Sequence, residues 1–197
     1  MRYEVWTAED YRQMPWKNGR GVTCEIGREP ADGSDDFTWR LSVADIKEDG
    51  PFSLFSGCQR IISTLTGAGM TLTVDGEKSG PLLKYDPFVF SGEARVSSEL
   101  IDGPIRDFNL IYRPGRCQAR LEWLGAHGSR TFCSQAGRLL IYTVGGLSVN
   151  FGGNAVQVLD GQTFNLDNKE RQLIRCRLAP LNPGPENRSC LIELSPR

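Results

Sequence analysis

The chain has 197 residues, enough to bury one large core or two small ones without covalent staples. Its 23 basic residues balance 24 acidic ones, leaving a net charge of −1 and excluding the cationic field that nucleic acid or anionic lipid would need. No run approaches the ~18 apolar residues of a membrane span and Met1–Trp6 lacks an apolar signal core, so the expected location is the cytoplasm.

Six cysteines (Cys24, Cys58, Cys117, Cys133, Cys176, Cys190) stand singly and read as reduced core residues. The one histidine, His127, rules out a site built on several imidazoles from one chain, and its Gly125–Ser129 surroundings read as a loop. Neither a metal nor another cofactor is expected.

In chain order, Ala8–Met14 predicts a short helix with Thr7 as its N-cap and Pro15 at its end. Trp16–Gly21 reads as a glycine-bearing turn. Val22–Ile26 then alternates at the strand period, with Thr23 and Glu25 on its polar side. After a polar loop, Phe37–Ala44 alternates again, placing Trp39, Leu41 and Val43 on one face and Thr38, Arg40, Ser42 and Ala44 on the other. Paired, these two strands bring Arg40 and Ser42 towards Glu25 and Thr23. Alternation alone favours an antiparallel sheet with one solvated face, its polar residues simply pointing at water.

An internal near-repeat argues for more. Ile61–Gly76 reads strand, glycine turn, strand, turn, and Leu139–Gly153 has the same layout. A further apolar strand follows each, Asp86–Phe90 and Asp160–Leu166, and a closing strand ends each half, Phe108–Tyr112 and Cys190–Leu194. Such a pattern reads as two small jelly rolls of the cupin kind. The expected fold is therefore all-β, a bicupin of two jelly-roll-like barrels with little helix. Residues 1–115 would form the first, with the N-terminal strands, and residues 116–197 a smaller second.

The halves are unequally equipped: the first holds Glu25, Arg40, Ser42 and Arg60, and the second has few polar residues in matching places. Two guanidiniums in one cup repel unless carboxylates or an anionic ligand compensate them. Glu25 and Asp107 supply part of that compensation, and a small carboxylate gripped by arginine could supply the rest. The alternative is an internal ion-pair network that only holds the barrel together. Asp107 and Asn109, two apart, can both face inward with Phe108 outward. Lys17 and Asn18 could present a cation and an amide at the mouth, or simply form a turn. Trp16, Trp39 and Trp123 read as core.

Several blocks together resemble the HutD/Ves family of small bacterial bicupins. They are Pro15–Gly19 with Gly21, Thr23, Glu25 and Ile26; Trp39–Ser42 with Ala44; Gly50–Ser53 with Gly57 and Arg60; Pro87–Gly92; Asp102–Pro104; and Asp107–Asn109. The resemblance implies a two-barrel fold without metal histidines and a role linked to histidine utilisation, by sensing an intermediate rather than catalysing a step. Carried onto this chain, the family's pocket would involve Lys17, Asn18, Thr23, Glu25, Arg40, Ser42, Arg60, Asp107 and Asn109. Its implied ligands are small acids such as formylglutamate, formiminoglutamate or urocanate. Arg20 departs from the family pattern, which has glycine there.

Three functions follow. The first is a metal-independent carboxylate-binding protein that senses or modulates amino-acid catabolism. The second is a metal-independent cupin enzyme, an isomerase or hydrolase, with Glu25 or Asp107 as general base. The third is an interaction module without a ligand. Homodimerisation through edge strands is an expectation from the fold.

Overall fold

The computed structural model describes residues 1–16, 21–125 and 128–197. Among these there is no helix, and so none long and apolar enough to cross a membrane. The sequence expectation of an all-β chain built from two jelly-roll-like units holds.

The chain divides into an N-terminal unit, Tyr11–Cys117, and a C-terminal unit in which Met1–Asp10 joins Gln118–Arg197. Opening the chain are β1 (Arg2–Trp6), β2 (Arg12–Pro15), β3 (Gly21–Glu29), β4 (Trp39–Ile46) and β5 (Gly50–Pro51). The N-terminal unit continues with β6 (Gln59–Thr66), β7 (Met70–Val74), β8 (Glu77–Lys78), β9 (Phe88–Ser91), β10 (Val96–Leu100) and β11 (Ile105–Tyr112). Then follow β12 (Cys117–Gly125), β13 (Arg130–Ser134), β14 (Arg138–Val144) and β15 (Leu147–Phe151). The last four strands are β16 (Asn154–Val158), β17 (Thr163–Asp167), β18 (Ile174–Pro180) and β19 (Arg188–Pro196).

Strand order makes the internal repeat explicit. In the N-terminal unit one sheet contains the run β4-β11-β6-β9 and the other is β5-β10-β7-β8. In the C-terminal unit the corresponding runs are β12-β19-β14-β17 and β13-β18-β15-β16, each strand eight places later in the chain. Each glycine turn carries the chain from one sheet to the other: β6 and β7, like β14 and β15, lie in different sheets. Gly145 and Gly146, both at φ +89, make the two-residue connection that a side chain would strain.

Each copy gains strands at an edge. β2 and β3 extend the N-terminal sheet beside β4, and β1 pairs with β17, Arg2 opposite Asp167 through Trp6 opposite Thr163. That pairing is why the first ten residues belong with the C-terminal unit.

The helix expected over Ala8–Met14 does not form. Asp10 turns back on Thr7, its carboxylate accepting from the Thr7 backbone N–H (2.8 Å) and hydroxyl (3.1 Å). Arg12–Pro15 then pairs with Val22–Glu25 as a strand. The segment has no apolar stripe to bury, so local turn chemistry and sheet pairing win over helix propensity.

Each unit has its own core. In the C-terminal unit Leu139, Ile141, Leu147, Val149, Phe164 and Cys176 pack together at 3% exposure or less. In the N-terminal unit Ile62, Met70, Leu72, Val96 and Ile105 join the two sheets at one end. Towards the other end, on the same inward face, the residues become polar.

Candidate functional site

The inward face of the larger N-terminal sheet is set by register. Across β3, β4, β11 and β6, Thr23, Ala44, Asp107 and Thr64 form one row, and Glu25, Ser42, Asn109 and Ile62 the next. The third row is Arg28, Arg40, Ile111 and Arg60. Arg28 reaches Glu25's side because a bulge between Glu25 and Gly27 adds one residue to β3, reversing the side on which later residues point. Glu25, Ser42, Arg60, Thr64, Asp107 and Asn109 on this face are buried, as are Trp39, Leu41 and Val43 on the opposite one, so the polar alternation does not mark a solvated surface.

These rows open onto a cavity of about 650 Å³ lined by Thr23, Arg40, Ser42, Arg60, Asp107 and Asn109. Met14, Trp16, Phe52 and Phe55 close its sides, and Glu48, Asp49 and Ser98 also line it. Of the residues singled out from sequence, six therefore meet in one place. Glu25 does not line the cavity, and Lys17 and Asn18 lie outside the described residues, as do Arg20 and His127.

Glu25 is buried within this face as a charge clamp. Its carboxylate accepts from Arg28 Nε (2.9 Å) and Nη2 (2.8 Å), and its Oε2 lies 2.7 Å from Arg40 Nε. Arg28 also donates to the Ser34 carbonyl and sits 5.5 Å from the Phe37 ring centroid. One carboxylate thus faces two guanidiniums. Burial pulls the Arg40 pKa down, and Glu25 opposes that shift.

Arg60 is only 4% exposed and forms no ion pair among the described residues. Its guanidinium carbon is 4.9 Å from the Phe52 and Phe90 ring centroids and 5.5 Å from that of Phe55. Three π faces partly replace the water this cation gave up. Arg60 Nη1 donates to the Ser53 carbonyl at 3.3 Å, and its buried Nε has no hydrogen-bond partner among the described residues. Burial lowers the Arg60 pKa to about 10, with Asp107 opposing the shift, so the group stays cationic at neutral pH.

Asp107 is buried and accepts the Ala44 backbone N–H at 3.0 Å. Burial raises its pKa to about 7, against the pull of Arg60. Asn109 Oδ1, on the same face, is buried without a hydrogen-bond partner among the described residues. Trp16 Nε1 donates to Thr23 Oγ1 (2.8 Å), fixing the indole against the wall. With Glu25 committed to Arg28 and Arg40, Arg60 is the cation of the lining that has no ion-pair partner among the described residues.

Sequence reasoning missed Arg28, the phenylalanine cage and the place of Trp16 on the wall. The Phe52-x-x-Phe55 spacing ahead of Arg60 was the available signal for the cage. Among the described residues, no cluster of three or more His, Cys, Asp or Glu side chains is placed to hold a metal.

The C-terminal unit shows what the same strands look like without this wall. Its β14 and β19 pair Leu139 with Glu193, Ile141 with Leu191 and Thr143 with Ser189. The N-terminal counterparts are Arg60 with Ile111, Ile62 with Asn109 and Thr64 with Asp107. Leucines therefore stand where Arg60 and Asn109 stand, and an apolar core fills the space.

Two jelly rolls in one chain, one closed by apolar side chains and one holding arginines on its inward face, define a bicupin with an arginine-bearing cavity in its N-terminal unit. At the level of fold alone, the chain is similar to an Escherichia coli bacterial pirin (12% identity, TM-score 0.66, all of both chains). It is likewise similar to a cupin 2 conserved barrel protein from Leptotrichia buccalis (13%, TM-score 0.54, 90% of this chain and 89% of that one).

The chain belongs to the HutD family, whose pattern matches residues 8–179. It is 53% identical over 156 residues to an uncharacterized 21.2 kDa protein in the hutC 3' region of Pseudomonas putida, covering 79% of this chain and 82% of that one. To Protein Ves of Escherichia fergusonii it is 34% identical over 142 residues, 70% and 72% of the two chains. HutD from Pseudomonas fluorescens SBW25, solved in a formate condition, covers the whole of both chains at 43% identity with a TM-score of 0.84.

Proposed function

We propose that the N-terminal cavity binds a small carboxylate and that the protein senses or modulates histidine utilisation or a related amino-acid catabolism. The observation that carries this reading is Arg60: a buried cation with an unpaired Nε beside a cavity of about 650 Å³, at a position where the sister unit has leucine. Burying a cation that has no ion-pair partner is costly even with aromatic rings around it, and the fold does without it in the other copy. A ligand carboxylate offsets that cost by accepting from Arg60, with Arg40 lining the same cavity. The cavity volume is in the ordinary range for small-molecule sites. Membership of the HutD family, and a relative encoded in the hutC 3' region, support the metabolic context.

Thermal unfolding against formylglutamate, formiminoglutamate, urocanate, glutamate and formate tests the reading. At a hundredfold excess over its dissociation constant a ligand adds ~2.7 kcal/mol, or roughly 5 to 10 °C for a chain of this length. A shift without turnover supports the sensor. A panel without any shift favours an interaction module.

Asp107 favours one second reading. A buried carboxyl with a pKa of about 7 is matched to general-base work, so an isomerase or hydrolase acting on the same acid is the alternative. Product formation lost in Asp107→Asn, with the carboxylate still bound, selects it.

A further inference from the structure

Resting on the carboxylate-binding reading, the arrangement of charge inside the cavity bears on how binding is regulated. Asp107 and Arg60 share the cavity but form no ion pair among the described residues. Arg60 is nevertheless the strongest favourable charge acting on the Asp107 carboxylate.

The other charged groups around Asp107 come from β3, β4, β11 and the connection between β4 and β5. Arg40, on β4, is held by Glu25 on β3. Asp45, also on β4, is half-buried and paired with Arg106 of β11 at 2.7 and 3.0 Å. Glu48 and Asp49 add further carboxylates between β4 and β5, and Asp49 accepts the Leu100 N–H (2.7 Å). Facing residues on β6 and β10, Thr64 and Ser98, are neutral hydroxyls.

An anion that accepts from Arg60 neutralises the one charge that keeps Asp107 ionised, and it adds a negative charge to the same enclosed space. Both effects favour the carboxylic acid over the carboxylate. Protonation also turns Asp107 from an acceptor into a donor. The same wall holds a buried, unpaired acceptor in Asn109 Oδ1, and the bound anion brings more acceptors.

We propose that carboxylate binding in this cavity is coupled to proton uptake by Asp107, so that the site takes anion and proton together. The unliganded Asp107 pKa of about 7 places the response in the physiological range. A carboxylate ligand is ionised throughout that range, so the proton goes to the protein. Affinity is highest on the acid side and falls as pH rises through the unliganded pKa, by up to ~10-fold per pH unit.

The test is calorimetric titration of the full chain with formylglutamate and with formate, from about pH 6 to about pH 8.5, in buffers of different ionisation enthalpy. The expected result is a dissociation constant that rises with pH and an uptake approaching one proton per ligand above pH ~7. Asp107→Asn, which keeps an acceptor for the Ala44 N–H, is expected to bind with flat pH dependence and no buffer-dependent heat. Wild-type binding that is flat in pH, or pH dependence surviving in Asp107→Asn, overturns the coupling and leaves carboxylate binding standing. No binding of either probe at any pH overturns the carboxylate reading and the coupling with it.

Discussion

Asn109 and Leu191 occupy equivalent places in two copies of one strand arrangement, Asn109 opposite Ile62 on β6 and Leu191 opposite Ile141 on β14. Both face inward. One ends in a buried carbonyl oxygen without a partner among the described residues, and the other packs into an apolar core. The same contrast holds for Arg60 and Leu139, so the fold itself has no need of a polar wall. Under the proposed function, the ligand supplies the partner that Arg60 Nε and Asn109 Oδ1 lack among the described residues.

Arg60→Met is expected to raise the melting temperature of the unliganded protein while removing carboxylate binding. Methionine fits among Phe52, Phe55 and Phe90 and takes away a desolvated charge. Paired thermal melts with and without ligand check it. A loss of stability as large as that of a core truncation would make Arg60 structural.

Glu25→Ala is expected to act in the opposite direction. It leaves Arg28 and Arg40 buried without their shared carboxylate, at a cost of about 3–5 kcal/mol. Denaturant unfolding measures it. A cost below ~1 kcal/mol would mean the three charges behave as an exposed cluster.

Asp107 predicts a pH dependence of stability even without ligand. Its folded pKa, about 7, lies above the ordinary 3.8, so the folded state holds the proton more tightly than the unfolded chain. The resulting contribution is fully present below pH ~4, is lost as pH rises towards 7, and is level above that. Unfolding of wild type and Asp107→Asn at about pH 5 and about pH 8 should show the variant gaining relative stability at the higher pH. Parallel curves would contradict the burial of an ionisable carboxyl.

Gly92→Ala tests the cage from a distance. An added Cβ would lie 2.5 Å from the Phe55 carbonyl oxygen and 3.0 Å from that of Cys58. Backbone hydrogen bonds join these same residues, from Phe55 N–H to Gly92 O (2.7 Å) and from Gly92 N–H to Cys58 O (2.8 Å). Alanine is expected to cost about 1–3 kcal/mol and, by moving Phe55 off Arg60, to weaken carboxylate binding. Melts and ligand titration on one sample separate the two effects.

The fold was legible where side chains repeat at the strand period. Trp39, Leu41 and Val43 against Arg40 and Ser42 marked the central strand and its inward face. The two glycine turns marked the repeat, although adjacency in sequence could not show that each turn switches sheets. Arg28 was hidden because plain alternation from Glu25 points it the other way, and only the bulge brings it back. Phe52 and Phe55 lie outside any strand, where periodicity has nothing to report. Ala8–Met14 was misread because helix propensity is a local property, whereas Arg12–Pro15 is placed by the strand it pairs with.

The central claim is that Arg60 is held for a ligand, and calorimetric titration of the small-acid panel into wild type and Arg60→Met, with both proteins shown folded, tests it most directly. The account predicts saturable binding of at least one acid to wild type and none to the variant. Equal binding to both, or to neither, would contradict it.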